Sequence, residues 1–105
     1  MPKTYQIVGQ KFIGLDPYLP GTLAGAEALL VREPTNAYDP NAVQVWVSGS
    51  RVGYIPKKDN AALAQFIDQA GAPMALDSAT SAERVLRATF RRSPNSGYPQ
   101  VEVDG

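Results

Sequence analysis

Tyr38 and Asp39 are adjacent in a polar segment, residues 35–41, that separates two apolar runs of the chain. An exposed aromatic ring can stack on another flat ring, and a carboxylate accepts a hydrogen bond from a hydroxyl but repels a phosphate. The pair could therefore hold a ring system that carries a free hydroxyl. The alternative is structural, because an aspartate often caps a turn by bonding nearby backbone amides, with the ring packed over it. Taken alone, the two residues favour this structural role.

Cationic and aromatic side chains elsewhere could complete such a site. Lys57 and Lys58 lie where a helix is predicted to begin, and cations there oppose the helix dipole unless an anion is bound. Such a pair would suit a phosphate, and a solvated helix end is the simpler alternative. Lys11 and Phe12 could form a second wall, the lysine meeting an anion and the ring stacking. A core aromatic beside a surface lysine explains that pair equally well.

The composition excludes several kinds of chemistry. There is no cysteine, so no disulfide or thiolate metal site can form, and no histidine, the commonest general base and metal ligand. Ten basic residues balance ten acidic residues, so an anion must be bound by a local patch rather than by bulk charge. No apolar run is long enough to cross a bilayer, and the first residues lack the apolar stretch of a signal peptide. We predict a cytoplasmic, non-catalytic protein without a cofactor or membrane contact.

Nine glycines and nine prolines are spread along the 105 residues, which indicates many short strands joined by turns. These strands and turns would position the residues named above. We predict a single domain, residues 1–105, with strands over 4–12, 27–32, 42–47, 51–55, 83–92 and 100–103, and a further short strand allowed within 72–81. A helical period between Pro56 and Gly71 predicts one helix. Trp46 and Tyr54 are expected to serve packing. The fold class is mainly β, a small, partly closed barrel of five to six strands with one helix.

Two stretches resemble a known family. Residues 30–43 read Leu-Val-Arg-Glu-Pro-Thr-Asn-Ala-Tyr-Asp-Pro-Asn-Ala-Val, and residues 52–57 read Val-Gly-Tyr-Ile-Pro-Lys. They are similar to the HIRAN domain, in which a strand ending in Arg-Glu-Pro precedes an Asn-Pro-Tyr-Asp-x-Asn-Ala-Val turn and then Val-Gly-x-Ile-Pro-basic. Residues 8–12, Val-Gly-Gln-Lys-Phe, resemble that family's first strand. The resemblance covers residues 5–70.

The resemblance implies a modified OB-like barrel that captures the 3′ end of single-stranded DNA in DNA repair or replication-fork processing, and that is not itself a catalyst. HIRAN domains occur alone in bacterial proteins or fused to helicase-like ATPases and nuclease modules, so a helicase or nuclease is the expected partner. The implied DNA-binding residues are Lys11, Phe12, Thr35, Asn36, Tyr38, Asp39, Lys57 and Lys58.

Each of these residues has an implied role. Tyr38 and Phe12 would stack the last bases, Asp39 and Asn36 would read the terminal sugar and its 3′ hydroxyl, and the three lysines would hold phosphates. Base identity should matter little, since stacking tolerates every base. The family commonly has an asparagine at position 35, so Thr35 offers one hydroxyl where an amide would offer two kinds of partner.

Two alternatives use the barrel differently. A protein-interaction module would recruit its partner through an exposed strand edge, and the zero net charge and the apolar loop of residues 15–23 fit it. A nuclease would hold a metal through carboxylates such as Asp16, Asp39 and Asp59, but these are scattered single aspartates without paired spacing. Binding that weakens steeply as salt rises would separate DNA binding from protein binding.

Overall fold

The structure is a computed structural model that describes residues 2–104. In that part of the chain the helix α1 (Lys57–Ala70) accompanies seven strands: β1 (Lys3–Gln6), β2 (Glu27–Arg32), β3 (Val43–Val47), β4 (Ser50–Tyr54), β5 (Ala72–Ala75), β6 (Ser81–Arg92) and β7 (Pro99–Val103). The sheet order is β1–β7–β6–β2–β3–β4, with β5 paired to β6 and every pairing antiparallel. The predicted fold class is confirmed, with seven strands where five to six were expected.

The sheet curls until its two edges meet. The amide of Val8, just after β1, donates to the carbonyl of Tyr54 at 2.8 Å, and the amide of Tyr54 donates to the carbonyl of Val8 at 2.7 Å. Because β1 and β4 stand at opposite ends of the sheet order, this bridge partly closes the half-barrel. It also holds the residues that follow Val8 against the end of β4.

The alternation predicted for β3 is confirmed. Val43, Val45 and Val47 are buried in the main core, whereas Gln44 and Trp46 point to the other face and are only partly covered. The main core lies between the curled sheet and α1; its largest buried members are Phe90, Ile7, Leu30, Leu63 and Ile67. A smaller cluster covers the opposite face, and Trp46 packs there, as expected.

Helix α1 seals one side of the core. Asn60, Leu63, Ala64 and Ile67 are buried at the spacing of a single helical face. Pro56 precedes the helix and provides no side-chain cap, so the first-turn amides have no side-chain acceptor from that position. No helix within residues 2–104 is long and apolar enough to cross a membrane.

The first strand is shorter than the sequence predicts. A strand over residues 4–12 was expected, but β1 ends at Gln6, and Gln10–Ile13 form a 3₁₀ turn. The reason is backbone conformation, since Gly9 and Gly14 bracket the turn with φ of 83° and 77°, a region that favours glycine. Phe12 therefore projects from a turn and not from a strand.

The bridge that closes the barrel requires a glycine at position 53. A Cβ atom there would lie 2.6 Å from the carbonyl oxygen of Val8 and 2.6 Å from Cγ2 of Ile7. We expect Gly53→Ala to lower the free energy of unfolding by about 1–3 kcal/mol, because a packed backbone must move. Urea denaturation measures this. Gly21→Ala is the matched control, since the nearest atom to its Cβ would be an arginine nitrogen at 3.8 Å. Equal stability of the two variants would contradict the prediction.

Candidate nucleic-acid interface

Four segments surround a cleft of about 610 Å³: the turn before β3, the 3₁₀ turn, the end of β4 and the start of α1. We call it the Asp39 cleft; its lining is Gly9, Phe12, Asn36, Tyr38, Asp39, Ala42, Tyr54, Ile55, Lys57 and Asn60. Five of the eight predicted binding residues are thus brought together. The other three, Lys11, Thr35 and Lys58, are exposed and lie outside this lining.

Two aromatic side chains that line this cleft are almost fully exposed to solvent. The side chain of Phe12 is 95% exposed and that of Tyr38 is 94% exposed. Exposed apolar residues are common singly, but two nearly uncovered rings on one cleft form a surface for a flat ligand. Of the structural alternative, only one half is present: Asp39 accepts a bond from a nearby backbone amide, as a turn cap does, but Tyr38 does not pack over the turn.

The carboxylate of Asp39 is held by two donors. Its Oδ2 accepts a hydrogen bond from the side-chain amide of Asn60 at 2.7 Å, and its Oδ1 accepts one from the backbone amide of Asn41 at 3.0 Å. The bond from Asn60, then that from Asn41, and then the charge of Lys57 hold the pKa of Asp39 below its usual value. The ionised group is only an acceptor and keeps free lone pairs on both oxygens. It can therefore take a hydroxyl proton and repels an anion.

Asn60 was missed by the sequence analysis. It is 3% exposed and lies three residues before Leu63 on the buried face of α1. A polar side chain at an apolar position of a helix needs a partner, because an unpaired buried amide is costly. That spacing was the signal available in the sequence. The partner is Asp39, so the helix positions the carboxylate.

Asn36 organises the turn that presents the ring and the carboxylate. Its Oδ1 accepts bonds from the backbone amides of Tyr38 at 2.9 Å and Asp39 at 3.0 Å, and its Nδ2 donates to Oε1 of Glu33 at 2.6 Å. One N–H of the Asn36 amide remains for the cleft. A contact from Asn36 to a terminal sugar, as predicted, would have to use that N–H.

Tyr54 lines the cleft as well, although the sequence analysis assigned it to packing. Its hydroxyl donates to Oε2 of Glu33 at 3.2 Å and accepts from Nη1 of Arg51 at 3.3 Å. Burial, followed by the negative charge of Glu33, raises the pKa of the Tyr54 hydroxyl. The hydroxyl is thereby held by Arg51, on the same strand, and by Glu33, which directly follows β2.

Lys57 is the cationic residue in the lining of the cleft. Lys57 is exposed at the first position of α1 and lines the cleft, and Lys58 is exposed beside it. The ion pairs formed within residues 2–104 involve arginines at positions 32, 87 and 91, at distances of 3.0, 2.7 and 3.7 Å, and none involves these lysines or Lys11. On β6, Arg87 and Arg91 are thus paired with the carboxylates of Glu27 and Glu102.

Among residues 2–104 no three carboxylates gather in a way that could hold a metal ion, so Asp16, Asp39 and Asp59 do not form one cluster. The apolar loop of residues 15–23 is divided: Leu19 is buried in the main core and Leu23 packs against it, whereas Leu15 and Tyr18 are exposed.

The sequence and the fold are both similar to those of known proteins. The family model of the HIRAN domain matches residues 6–89. Among solved structures, the chain is similar to a protein from Lactobacillus plantarum, a Northeast Structural Genomics Consortium target, with a TM-score of 0.63 and 24% identity over 94% of this chain and 86% of that one. It is also similar to the HIRAN domain of human HLTF, with a TM-score of 0.63 and 19% identity over 96% of this chain and 71% of that one. No curated protein matches the sequence.

Proposed function

The chain belongs to the HIRAN domain family, known as a DNA-binding domain, and from this premise we propose that it is a non-catalytic module that captures single-stranded DNA at a 3′-hydroxyl end. One observation carries the proposal. The ionised carboxylate of Asp39, held by Asn60, shares a cleft with two rings that are 94–95% exposed, those of Phe12 and Tyr38. A 3′-terminal nucleotide offers the matching groups: flat bases and a hydroxyl donor.

The carboxylate of Asp39 makes the site selective for a 3′-hydroxyl end over a 3′-phosphate end or an internal nucleotide. A 3′ hydroxyl donates its proton to Asp39, whereas a 3′ phosphate would place a second negative charge against it. A nucleotide within a strand has no free 3′ hydroxyl to offer. The remaining N–H of Asn36 contacts the terminal sugar, and Thr35 stands beside it in the chain.

The rings and lysines supply affinity that does not depend on sequence. Phe12 and Tyr38 stack the last bases, since every base has a face to stack. Lys57 meets the phosphate nearest the end, where the start of α1 also favours an anion. Lys58 and Lys11 hold phosphates outside the cleft. We place this activity in the cytoplasm, where the module would deliver strand ends to a helicase or nuclease in DNA repair or fork processing.

The direct test compares three forms of one labelled oligonucleotide by fluorescence anisotropy. They are a single strand with a 3′ hydroxyl, the same strand with a 3′ phosphate, and a duplex with a 5′ overhang, whose 3′ end is paired. We expect the single strand with the hydroxyl to bind at least about tenfold more tightly than the others. The 3′ phosphate lacks the hydroxyl donor for the charged Asp39, and the bases at a paired 3′ end are not free to stack on the two rings. Equal affinities would refute end capture.

A salt titration of the same complex tests whether binding depends on contacts between lysines and phosphates. Three lysine–phosphate contacts predict that log K falls with log salt at a slope of about −2 for a single strand. Affinity that did not change with salt would favour the protein-interaction module over a DNA-binding one.

A further inference from the structure

Glu33 directly follows β2 and does not line the Asp39 cleft, yet three neighbouring side chains donate to its carboxylate. The donors are Asn36, Gln44 and Tyr54. We propose that Glu33 is a positioning residue for this cleft, which holds the Asn36 amide in the orientation that presents an N–H to the terminal sugar. The inference rests on the proposed function, and it gives a role in DNA binding to a side chain that lies outside the site.

The backbone of Glu33 is fixed at the base of the turn before β3. Its amide donates to the carbonyl of Ala42 at 3.0 Å, and its carbonyl accepts from the amide of Asn36 at 3.1 Å. The side chain of Glu33 therefore extends from a backbone that is tied to both ends of this turn. Little further ordering is required to bring the carboxylate to the Asn36 amide.

The carboxylate determines which way the Asn36 amide faces. The two ends of an asparagine amide are alike in shape, but one is an acceptor and the other a donor. Oε1 of Glu33 is an acceptor and lies 2.6 Å from Nδ2 of Asn36. The backbone amides of Tyr38 and Asp39 are donors and face Oδ1. A reversed amide would set oxygen against carboxylate and N–H against N–H, so the second N–H of Nδ2 is left for a ligand.

The other oxygen of Glu33 has its partners on the sheet. Oε2 accepts from the side-chain amide of Gln44 and, at 3.2 Å, from the hydroxyl of Tyr54. Without Glu33 that hydroxyl would keep its bond from Nη1 of Arg51. Within residues 2–104, Glu33 is the acceptor that the structure provides for Nδ2 of Asn36. Loss of the carboxylate should therefore affect the cleft chiefly through Asn36.

The negative charge of Glu33 needs an explanation beside a site for DNA. The ion pairs formed within residues 2–104 do not involve Glu33, and the three side chains that donate to it are neutral. A carboxylate this close to the cleft repels the phosphates of a bound strand, so electrostatics alone would favour its absence. Its hydrogen bond to Asn36 offsets that repulsion by preparing the site for the sugar.

The same network reaches the opposite face of the sheet. Nε1 of Trp46 donates to Oε1 of Gln44 at 2.8 Å, and Nε2 of Gln44 donates to Glu33. Trp46 is the only tryptophan of the chain and does not line the cleft. Its fluorescence should therefore change when the Glu33 carboxylate is removed, which reports on the network in the free protein.

The test replaces Glu33 by alanine, which removes the charge and both acceptor oxygens. Affinity for a single strand with a 3′ hydroxyl should fall roughly two- to twelvefold, the range for one neutral hydrogen bond. Removal of the negative charge by itself would raise that affinity, so the two explanations predict opposite signs. In an Asn36→Ala background, Glu33→Ala should weaken binding less than about twofold, because both residues act through one contact. Anisotropy gives the affinities.

Glu83→Ala is the matched control, since Glu83 is exposed and takes part in none of the ion pairs within residues 2–104. It removes the same charge and should neither weaken binding nor change the fluorescence of Trp46. Four results for Glu33→Ala would each overturn the proposal: affinity equal to or above that of the parent, a full loss in the Asn36→Ala background, unchanged Trp46 fluorescence, or thermal unfolding at the assay temperature.

The proposed function is tested separately in the same experiment. Glu33→Ala should keep the parent's preference for a 3′ hydroxyl over a 3′ phosphate, because Asp39 keeps its bonds from Asn60 and Asn41. If the parent itself shows no preference, end capture is wrong, whatever Glu33→Ala does to affinity. If the parent shows the preference and Glu33→Ala binds as the parent does, end capture stands and the positioning role of Glu33 is wrong.

Discussion

Replacing both Phe12 and Tyr38 by alanine is expected to weaken the binding of single-stranded DNA by at least about 30-fold without unfolding the protein. Each ring stacked on a base contributes about 1–3 kcal/mol, so the double variant should bind roughly 30-fold to 10⁴-fold more weakly. The fold should tolerate the change, since the two side chains are 95% and 94% exposed and bury almost nothing. Anisotropy measures the affinity, and thermal unfolding of the same samples measures stability.

Conservative variants make this prediction specific to stacking. Tyr38→Phe and Phe12→Tyr retain a ring and should keep most of the affinity, because the contact depends on the aromatic face. Phe66→Ala is the matched control for the loss of a partly exposed aromatic. Unfolding of the double variant would show that the rings serve the structure, and unchanged affinity would remove them from the binding site.

The regular elements could be predicted because their patterns are local. The alternation of Val43, Val45 and Val47 determines which face of β3 is buried, and Pro56 and Gly71 flank the helix. The adjacent Tyr38 and Asp39 were predicted to share a site, and they do share a cleft. In each case a few consecutive residues contain the whole signal.

Contacts between distant parts of the chain could not be predicted in this way. Asp39 owes its orientation to Asn60, which is 21 residues later, and Tyr54 becomes a wall only because Val8 pairs with it across the closed barrel. Phe12 was placed on a strand because the alternation of Tyr5 and Ile7 was extended through Gly9, whose left-handed backbone instead begins a turn. Sequence periodicity describes one element at a time, whereas this cleft is built where four segments meet.

Asp39→Asn is expected to remove the preference for a 3′ hydroxyl. The variant keeps the shape of the side chain but replaces one acceptor oxygen with a donor and removes the negative charge. Affinity for the 3′-hydroxyl strand should fall roughly tenfold to 150-fold, as for a lost hydrogen bond to a charged group. Affinity for the 3′-phosphate strand should rise, because repulsion is gone and the new amide can donate to the phosphate. Anisotropy with both strands gives the ratio.

Asp77→Asn is the matched control for this substitution. Asp77 also holds a turn, with Oδ1 accepting from the backbone amides of Ala79 at 2.8 Å and Thr80 at 2.7 Å, and those bonds lower the pKa of Asp77 too. Asp77 lies outside the lining of the Asp39 cleft, so its replacement should leave DNA binding unchanged. A preference for the 3′ hydroxyl that survived Asp39→Asn would assign end recognition to another group.

The pH dependence separates the charge of Asp39 from its shape. The pKa of Asp39 is lowered in the folded protein, chiefly by the bond from Asn60, so the carboxylate is ionised at any pH above the ordinary pKa of an aspartate. Its contribution to folding stability is therefore complete above the unfolded pKa and is lost as pH falls through the lower, folded pKa. Because this carboxylate does not titrate between pH 5 and 8, affinity for a strand with a 3′ hydroxyl should stay constant over that range.

The 3′ phosphate does titrate in that range. A phosphate monoester loses its second negative charge below about pH 6, so the ratio of the affinities for the 3′-hydroxyl and 3′-phosphate strands should become smaller there. Asp39→Asn should abolish that narrowing, because the repulsion being titrated needs the carboxylate; an identical pH profile for parent and variant would show that the negative charge lies elsewhere.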